Sequence, residues 1–113
     1  MIERFEVELL DEAFEFLEKL DLKSRKKIFQ NIERAKSQKD PKLFKTLTAD
    51  IWEFRTVYAG KQFRLLAFWD KTDKVRTLVL ATHGFIKKTS KVSKKEITRA
   101  EHIRSQYYKD KQK

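Results

Sequence analysis

The residues of this chain best suited to chemistry are one imidazole and the cations around it. His83 closes an apolar, strand-like run, Thr77-Leu78-Val79-Leu80-Ala81, and is followed by Lys87, Lys88 and Lys91, then by Lys94 and Lys95. Histidine is the side chain most easily tuned to exchange protons near neutral pH, and clustered ammonium groups attract an anion. Arg55 and Arg64 flank a turn-like Ala59-Gly60-Lys61, and a suitable hairpin register points both to one face of a sheet. A face lined in this way suits a phosphodiester. Guanidinium forks bind its non-bridging oxygens, and fixed cations stabilise the extra charge of a pentacoordinate transition state.

RNA carries its own nucleophile, the 2′-OH. Such chemistry then needs a base, an acid and cations, and no metal, serine or cysteine. His83 is the best base or acid by type; Lys87 or Lys88 would serve if neighbouring cations depressed its pKa. Phe85, between His83 and Lys87, could stack on an unpaired base, with Lys88, Lys91, Lys94 and Lys95 along the backbone. Plainer readings stand beside these. Arg64, alone among apolar neighbours, could be a buried structural arginine paired with Glu53. His83, before Gly84, could be a turn residue with a satisfied ring. Lys94 and Lys95 occupy the first turn of a helix, which the macrodipole disfavours for cations, and could simply be solvated. Trp52 and Trp69 read as core, and His102 as an exposed helix residue.

Composition narrows the classes. The chain has 113 residues and no cysteine, so disulfides and thiolate metal sites are excluded. His83 and His102 are too far apart for a helical zinc pair, and neither metal nor cofactor is expected. No apolar stretch is long enough to cross a bilayer, and Met1-Ile2-Glu3-Arg4 lacks the form of a signal peptide, so a cytoplasmic protein is expected. The net charge of +10 is unevenly spread: residues 1–20 sum to −5, while residues 21–86 sum to +8 and residues 87–113 to +7. A polarised basic chain points to nucleic acid as partner, because neutralising phosphates releases condensed counterions.

The elements that must position these residues follow from periodicity. Residues Ile2–Leu9 alternate loosely and predict a first strand. Asp11 is expected to cap a helix over Glu12–Leu20, and Asp21-Leu22 to break it before a second helix over Lys23–Ser37; the two read as a helical hairpin. Lys39–Thr48, with Pro41, reads as a connection. Three strands are expected over Ile51–Val57, Gln62–Trp69 and Val75–Thr82, then a helix over Lys94–Tyr108, with Ser93 and Glu96 at capping-box spacing. Lys109–Lys113 is expected to fray. The result is one α+β domain with helices on one face of a mostly antiparallel sheet and the other face, or one end, open for a partner.

The strings Ile51-Trp52-Glu53-Phe54-Arg55, Phe63-Arg64-Leu65-Leu66 and His83-Gly84-Phe85-Ile86-Lys87-Lys88-Thr89, followed by Lys94-Lys95-Glu96-Ile97, resemble the RelE/ParE toxin superfamily, most closely its HigB-like, phage-associated branch. The likeness runs over nearly the whole chain. It implies a compact RelE-like domain and the toxin of a type II toxin–antitoxin pair: a ribosome-dependent mRNA endoribonuclease neutralised by a cognate antitoxin, typically a helix-turn-helix protein. Carried over by residue, Arg55 and Arg64 match phosphate-binding positions of the central strands. His83, Lys87 and Lys88 match the strand end and loop that carry acid/base and charge-stabilising groups. The terminal catalytic tyrosine of some RelE proteins has no clear counterpart, which leaves the acid/base assignment open. The same superfamily also implies two alternatives, a ParE-like inhibitor of DNA gyrase that cuts nothing, or an inactive member that only binds RNA or a partner.

Overall fold

The computed structural model describes residues 4–112. Strand β1 (Glu6–Leu9) leads into helices α1 (Asp11–Glu18) and α2 (Leu22–Ser37); β2 (Phe44–Thr46), β3 (Trp52–Tyr58), β4 (Lys61–Asp70) and β5 (Leu78–Lys87) follow, then α3 (Lys94–Lys111). The strands form one five-stranded sheet in the order β1-β5-β4-β3-β2, parallel only between β1 and β5. This is the α+β architecture expected. Among the described residues no helix is long and apolar enough to cross a membrane.

β3 and β4 form where alternation and apolar content demand a half-buried and a central strand. Their hairpin turns at Ala59-Gly60, both with positive φ (51° and 76°), as a two-residue turn matched to strand twist requires. One sheet face carries Phe54, Phe63, Leu65, Ala67, Val79 and Ala81, packed against Ala13 and Leu17 of α1 and Ile28, Ile32 and Ala35 of α2. Arg25 of α2 donates to the carbonyls of Leu17, Glu18 and Leu20 at 3.0–3.1 Å and satisfies the end of α1.

Several boundaries differ from expectation. Ile2 lies outside the described residues. Leu10, not Asp11, is the N-cap of α1, and no side chain caps it; Asp21 does cap α2, accepting from the Ser24 backbone N–H. Within Lys39–Thr48 a short strand, β2, adds to the edge of β3. The third helix crosses the other face, setting Ala100 against Ile51, Leu66, Phe68 and Leu80, so the helices lie on both faces rather than one. It also continues beyond Tyr108 to Lys111 instead of fraying at Lys109. The reason is at its end: Tyr107 and Lys111 both donate to the buried Asp70 carboxylate at 2.6 Å. Lys113 lies outside the described residues.

Candidate functional site

The fifth strand does not stop at Thr82. It runs on through His83 to Lys87, with a bulge: Ala67 opposes Ala81 and Leu66 opposes His83, leaving Thr82 over. An extra residue shifts the alternation of everything after it. Without it, His83, Phe85 and Lys87 would share the face of Ala81 and point into the α1–α2 core. With it, they share the face of Leu66, Arg64 and Gln62. Gly84 and Ile86 take the opposite side, and a Cβ on Gly84 would lie 2.3 Å from the Phe16 ring.

Register then arranges this face in rows across the strands. Lys45, Glu53, Leu66 and His83 form one row; Arg55, Arg64 and Phe85 the next; Val57, Gln62 and Lys87 the last. α3 covers the end of the face nearer Asp70, and the row nearest the Ala59-Gly60 turn is the open one, with Val57 and Gln62 exposed. Arg55 and Arg64 oppose one another directly, an arrangement of like charges that costs stability.

Arg64 is 1% exposed. Its Nη1 donates to the Phe63 carbonyl at 3.0 Å and its Nη2 to the Gln62 side-chain oxygen at 2.9 Å. Its Nε lies 3.0 Å from Glu53 Oε1 but out of hydrogen-bond alignment, so both atoms are buried without a hydrogen bond. The pairing of Arg64 with Glu53, open on sequence alone, is present. Arg55 donates from Nη1 to the Pro41 carbonyl at 3.2 Å, and its Nε is also buried without a partner. Lys87 is half-buried and donates to the Ser90 carbonyl at 3.3 Å. Burial, then Arg64, pulls its ammonium below the ordinary lysine pKa; Arg55 and Lys45 add to this and Glu53 opposes it. Burial likewise lowers the Arg64 pKa, with Arg55 pushing the same way against Glu53. One carboxylate thus stands among four cations, Lys45, Arg55, Arg64 and Lys87. Such an excess of charge with unsatisfied donors is a site for an oxyanion.

His83 sits one row further in and is 4% exposed. Its Nδ1 lies 3.0 Å from Thr82 Oγ1 and its Nε2 3.1 Å from Glu96 Oε1. A neutral ring with its proton on Nε2 donates to Glu96, and its Nδ1 competes with the Leu66 carbonyl, 3.2 Å from Thr82 Oγ1, for the single Thr82 hydroxyl proton. Burial holds its pKa below the ordinary value, although Glu96 pulls it up. The ring therefore has a partner at each nitrogen, as the plainer reading had it, but inside a strand and not in a turn. Glu96, expected to complete a capping box, does not do so. Ser93 accepts from the Glu96 N–H at 3.4 Å, while the Glu96 side chain turns to His83.

The remaining expected residues separate. Phe85 packs beside His83, with ring centroids 5.9 Å apart, at the margin of the α3 cluster; it is half-buried and not a free platform. Lys88 is exposed and lines a shallow groove with Lys61, Gln62 and Lys87. Lys95 lines a different cleft with Glu12, Glu15, Glu96 and Arg99, on the α1 side of His83. Lys91 and Lys94 are exposed on the loop and first turn that follow β5. The structure thus joins Arg55, Arg64 and Lys87 and sets His83 and Lys95 apart from them. Lys45 and Gln62 were not legible as members: β2 is too short and too close to Pro41 to stand out, and Gln62 reads as a strand end.

A comparison with curated proteins finds no match. Residues 15–105, however, match the model of the family described as phage derived protein Gp49-like (DUF891), a family associated with RelE- and HigB-like toxins. The chain belongs to that family.

Proposed function

We propose that this protein is the toxin of a type II toxin–antitoxin pair and that it cleaves mRNA on the ribosome, without a metal, by attack of the 2′-OH on the neighbouring phosphate. The observation that carries this reading is the Arg55–Arg64–Lys87 face, where buried guanidinium nitrogens lack partners and one carboxylate serves four cations. Arg55 and Arg64 bind the non-bridging oxygens. The exposed Gln62 amide, now resting on Arg64 Nη2, gives way to a phosphate oxygen. Lys87, whose pKa is lowered by burial and by the neighbouring Arg64, accepts the 2′ proton. The 2′-oxygen bonds to phosphorus, the bond to the 5′-oxygen breaks, and the products are a 2′,3′-cyclic phosphate and a 5′-hydroxyl. The leaving 5′-oxygen takes its proton from water at the ribosomal site, because His83 is held apart by Thr82 and Glu96. The ribosome holds the strand in line, and a cognate helix-turn-helix antitoxin neutralises the protein.

A second reading, a ParE-like gyrase inhibitor or an inactive RNA- or partner-binding member, draws on a specific observation. Both His83 and Arg64 are engaged by carboxylates of the chain itself. Primer extension after induction separates the two. Codon-phased cuts that vanish in Lys87→Ala and Arg55→Ala support the nuclease; arrested replication with transcripts intact supports the gyrase inhibitor.

A further inference from the structure

Glu53 is the residue of this face that the proposed chemistry does not use. It is 2% exposed, on β3, two positions before Arg55 and therefore on the same face. A buried carboxylate persists only where charge partners hold it. Here the partner is Arg64, whose Nε lies 3.0 Å from Glu53 Oε1 without an aligned hydrogen bond, so the carboxylate holds one edge of the guanidinium by charge. It also acts on Lys87, where it opposes the combined push of Arg64, Arg55 and Lys45.

We infer that Glu53 is a positioning residue of the anion site: its carboxylate holds one edge of the Arg64 guanidinium and offsets part of the positive charge gathered around Lys87. The inference rests on the phosphodiester reading. The physical sequence is simple. A phosphate entering the site brings negative charge toward Arg55 and Arg64, and Glu53 becomes a like charge beside it. Glu53 therefore weakens ground-state anion binding while keeping the guanidinium aligned, an exchange of affinity for geometry of the kind that raises turnover. The groups facing Lys87 are Arg64 from β4, Arg55 and Glu53 from β3, Lys45 from β2 and the Ser90 carbonyl from its own loop. Lys61 and Lys88 line the same groove as Lys87 and add positive charge, so none of these groups replaces the lost carboxylate.

The test compares Glu53→Gln with Glu53→Asp by nitrogen-detected NMR of Lys87 Nζ and Arg64 Nε, alongside cleavage of ribosome-bound mRNA. Expected for Glu53→Gln are a downward shift of the Lys87 titration midpoint and faster exchange of the Arg64 Nε–H. Short oligoribonucleotides should bind more tightly, while kcat falls by roughly 10–100-fold, the cost of a misplaced group. Glu53→Asp keeps the charge and shortens the reach, so the Lys87 midpoint should stay near wild type while Arg64 exchange and kcat change. If Glu53→Gln does not fold, the Asp variant carries the test alone: wild-type Arg64 exchange overturns the inference. An unmoved Lys87 midpoint in a folded Gln variant also overturns it. Failure of the wild type to cleave ribosome-bound mRNA, with the Lys87 and Arg64 signals moving as expected, would instead sink the nuclease reading.

Discussion

Strand β4 carries a buried charge near each end of one face, and the two ends are solved in opposite ways. At its C-terminal end Asp70, 1% exposed, accepts from Tyr107, Lys111, the Thr72 hydroxyl and the Thr72 backbone N–H at 2.6–2.9 Å. These bonds outweigh burial and hold the carboxyl well below the ordinary range. Tyr107 is pushed upward in turn, first by burial and then by its bond to Asp70. Near the other end Arg64 has an unaligned carboxylate, a second arginine opposite and a lysine beside it. Both sites bury one charge on the same strand, yet only one saturates it. The saturated end is a clamp that fastens α3; the unsaturated end is the place the proposed function assigns to a phosphate.

Replacing the central member of each end sharpens that contrast. Arg64→Ala should give the largest loss, about 3–5 kcal/mol in urea unfolding, because it strands the buried Glu53 carboxylate. Lys87→Ala should cost almost nothing in stability and lower cleavage about 100-fold, or roughly 2.7 kcal/mol of barrier. Asp70→Asn should invert that pattern. It should lose about 2 kcal/mol of stability, by the weakening of charge-assisted hydrogen bonds, with cleavage per folded molecule retained. Equal losses of stability and cleavage in Lys87→Ala and Asp70→Asn would erase the distinction between clamp and site.

The pH dependence of stability follows the same division. Asp70 has a folded pKa below its unfolded one, so its contribution is present above the unfolded pKa and is lost as pH falls toward the folded one. His83 is also lowered, which for a histidine means that the unfolded chain takes up the proton more readily. Its burial therefore costs stability progressively as pH drops below about 6.5. A urea midpoint that falls between pH 7 and pH 5 less steeply in His83→Phe than in wild type would verify the sign. A steeper fall would refute it.

How much of this was readable beforehand divides along physical lines. Strands β3 and β4 follow from alternation and apolar density, but the facing of Arg55 and Arg64 was open, because a turn read as Ala59-Gly60-Lys61 leaves the register unset; the two-residue turn at Ala59-Gly60 sets it. The continuation of β5 was not readable, since Gly84 and the lysines after it look like a strand end. The bulge that turns His83 and Lys87 toward Arg64 leaves no mark in residue type. Glu96 matches a capping box so well by spacing that its actual partner, thirteen residues earlier in sequence, is masked. Local signals were legible where the backbone decides; pairings made by the third helix depend on which face it crosses.

The smallest expected effect is the one that separates function from architecture most cleanly. Arg55 opposes Arg64 across a strand pair and has a buried Nε with no partner, so as a structural residue it is a poor choice. Arg55→Gln removes the repulsion and keeps an amide donor for the Pro41 carbonyl. The variant should therefore be more stable, by about 0.5 kcal/mol, the usual scale of a cross-strand charge term. At the same time it should lose the phosphate contact and its share of transition-state stabilisation, lowering cleavage by at least about tenfold. Gain of stability with loss of activity is the mark of a residue retained for its work at a site and not for the fold. Chemical denaturation and primer extension on the same preparation decide it: a destabilised Arg55→Gln would mean that this arginine holds the sheet together, and the open end would then be as structural as the clamp at Asp70.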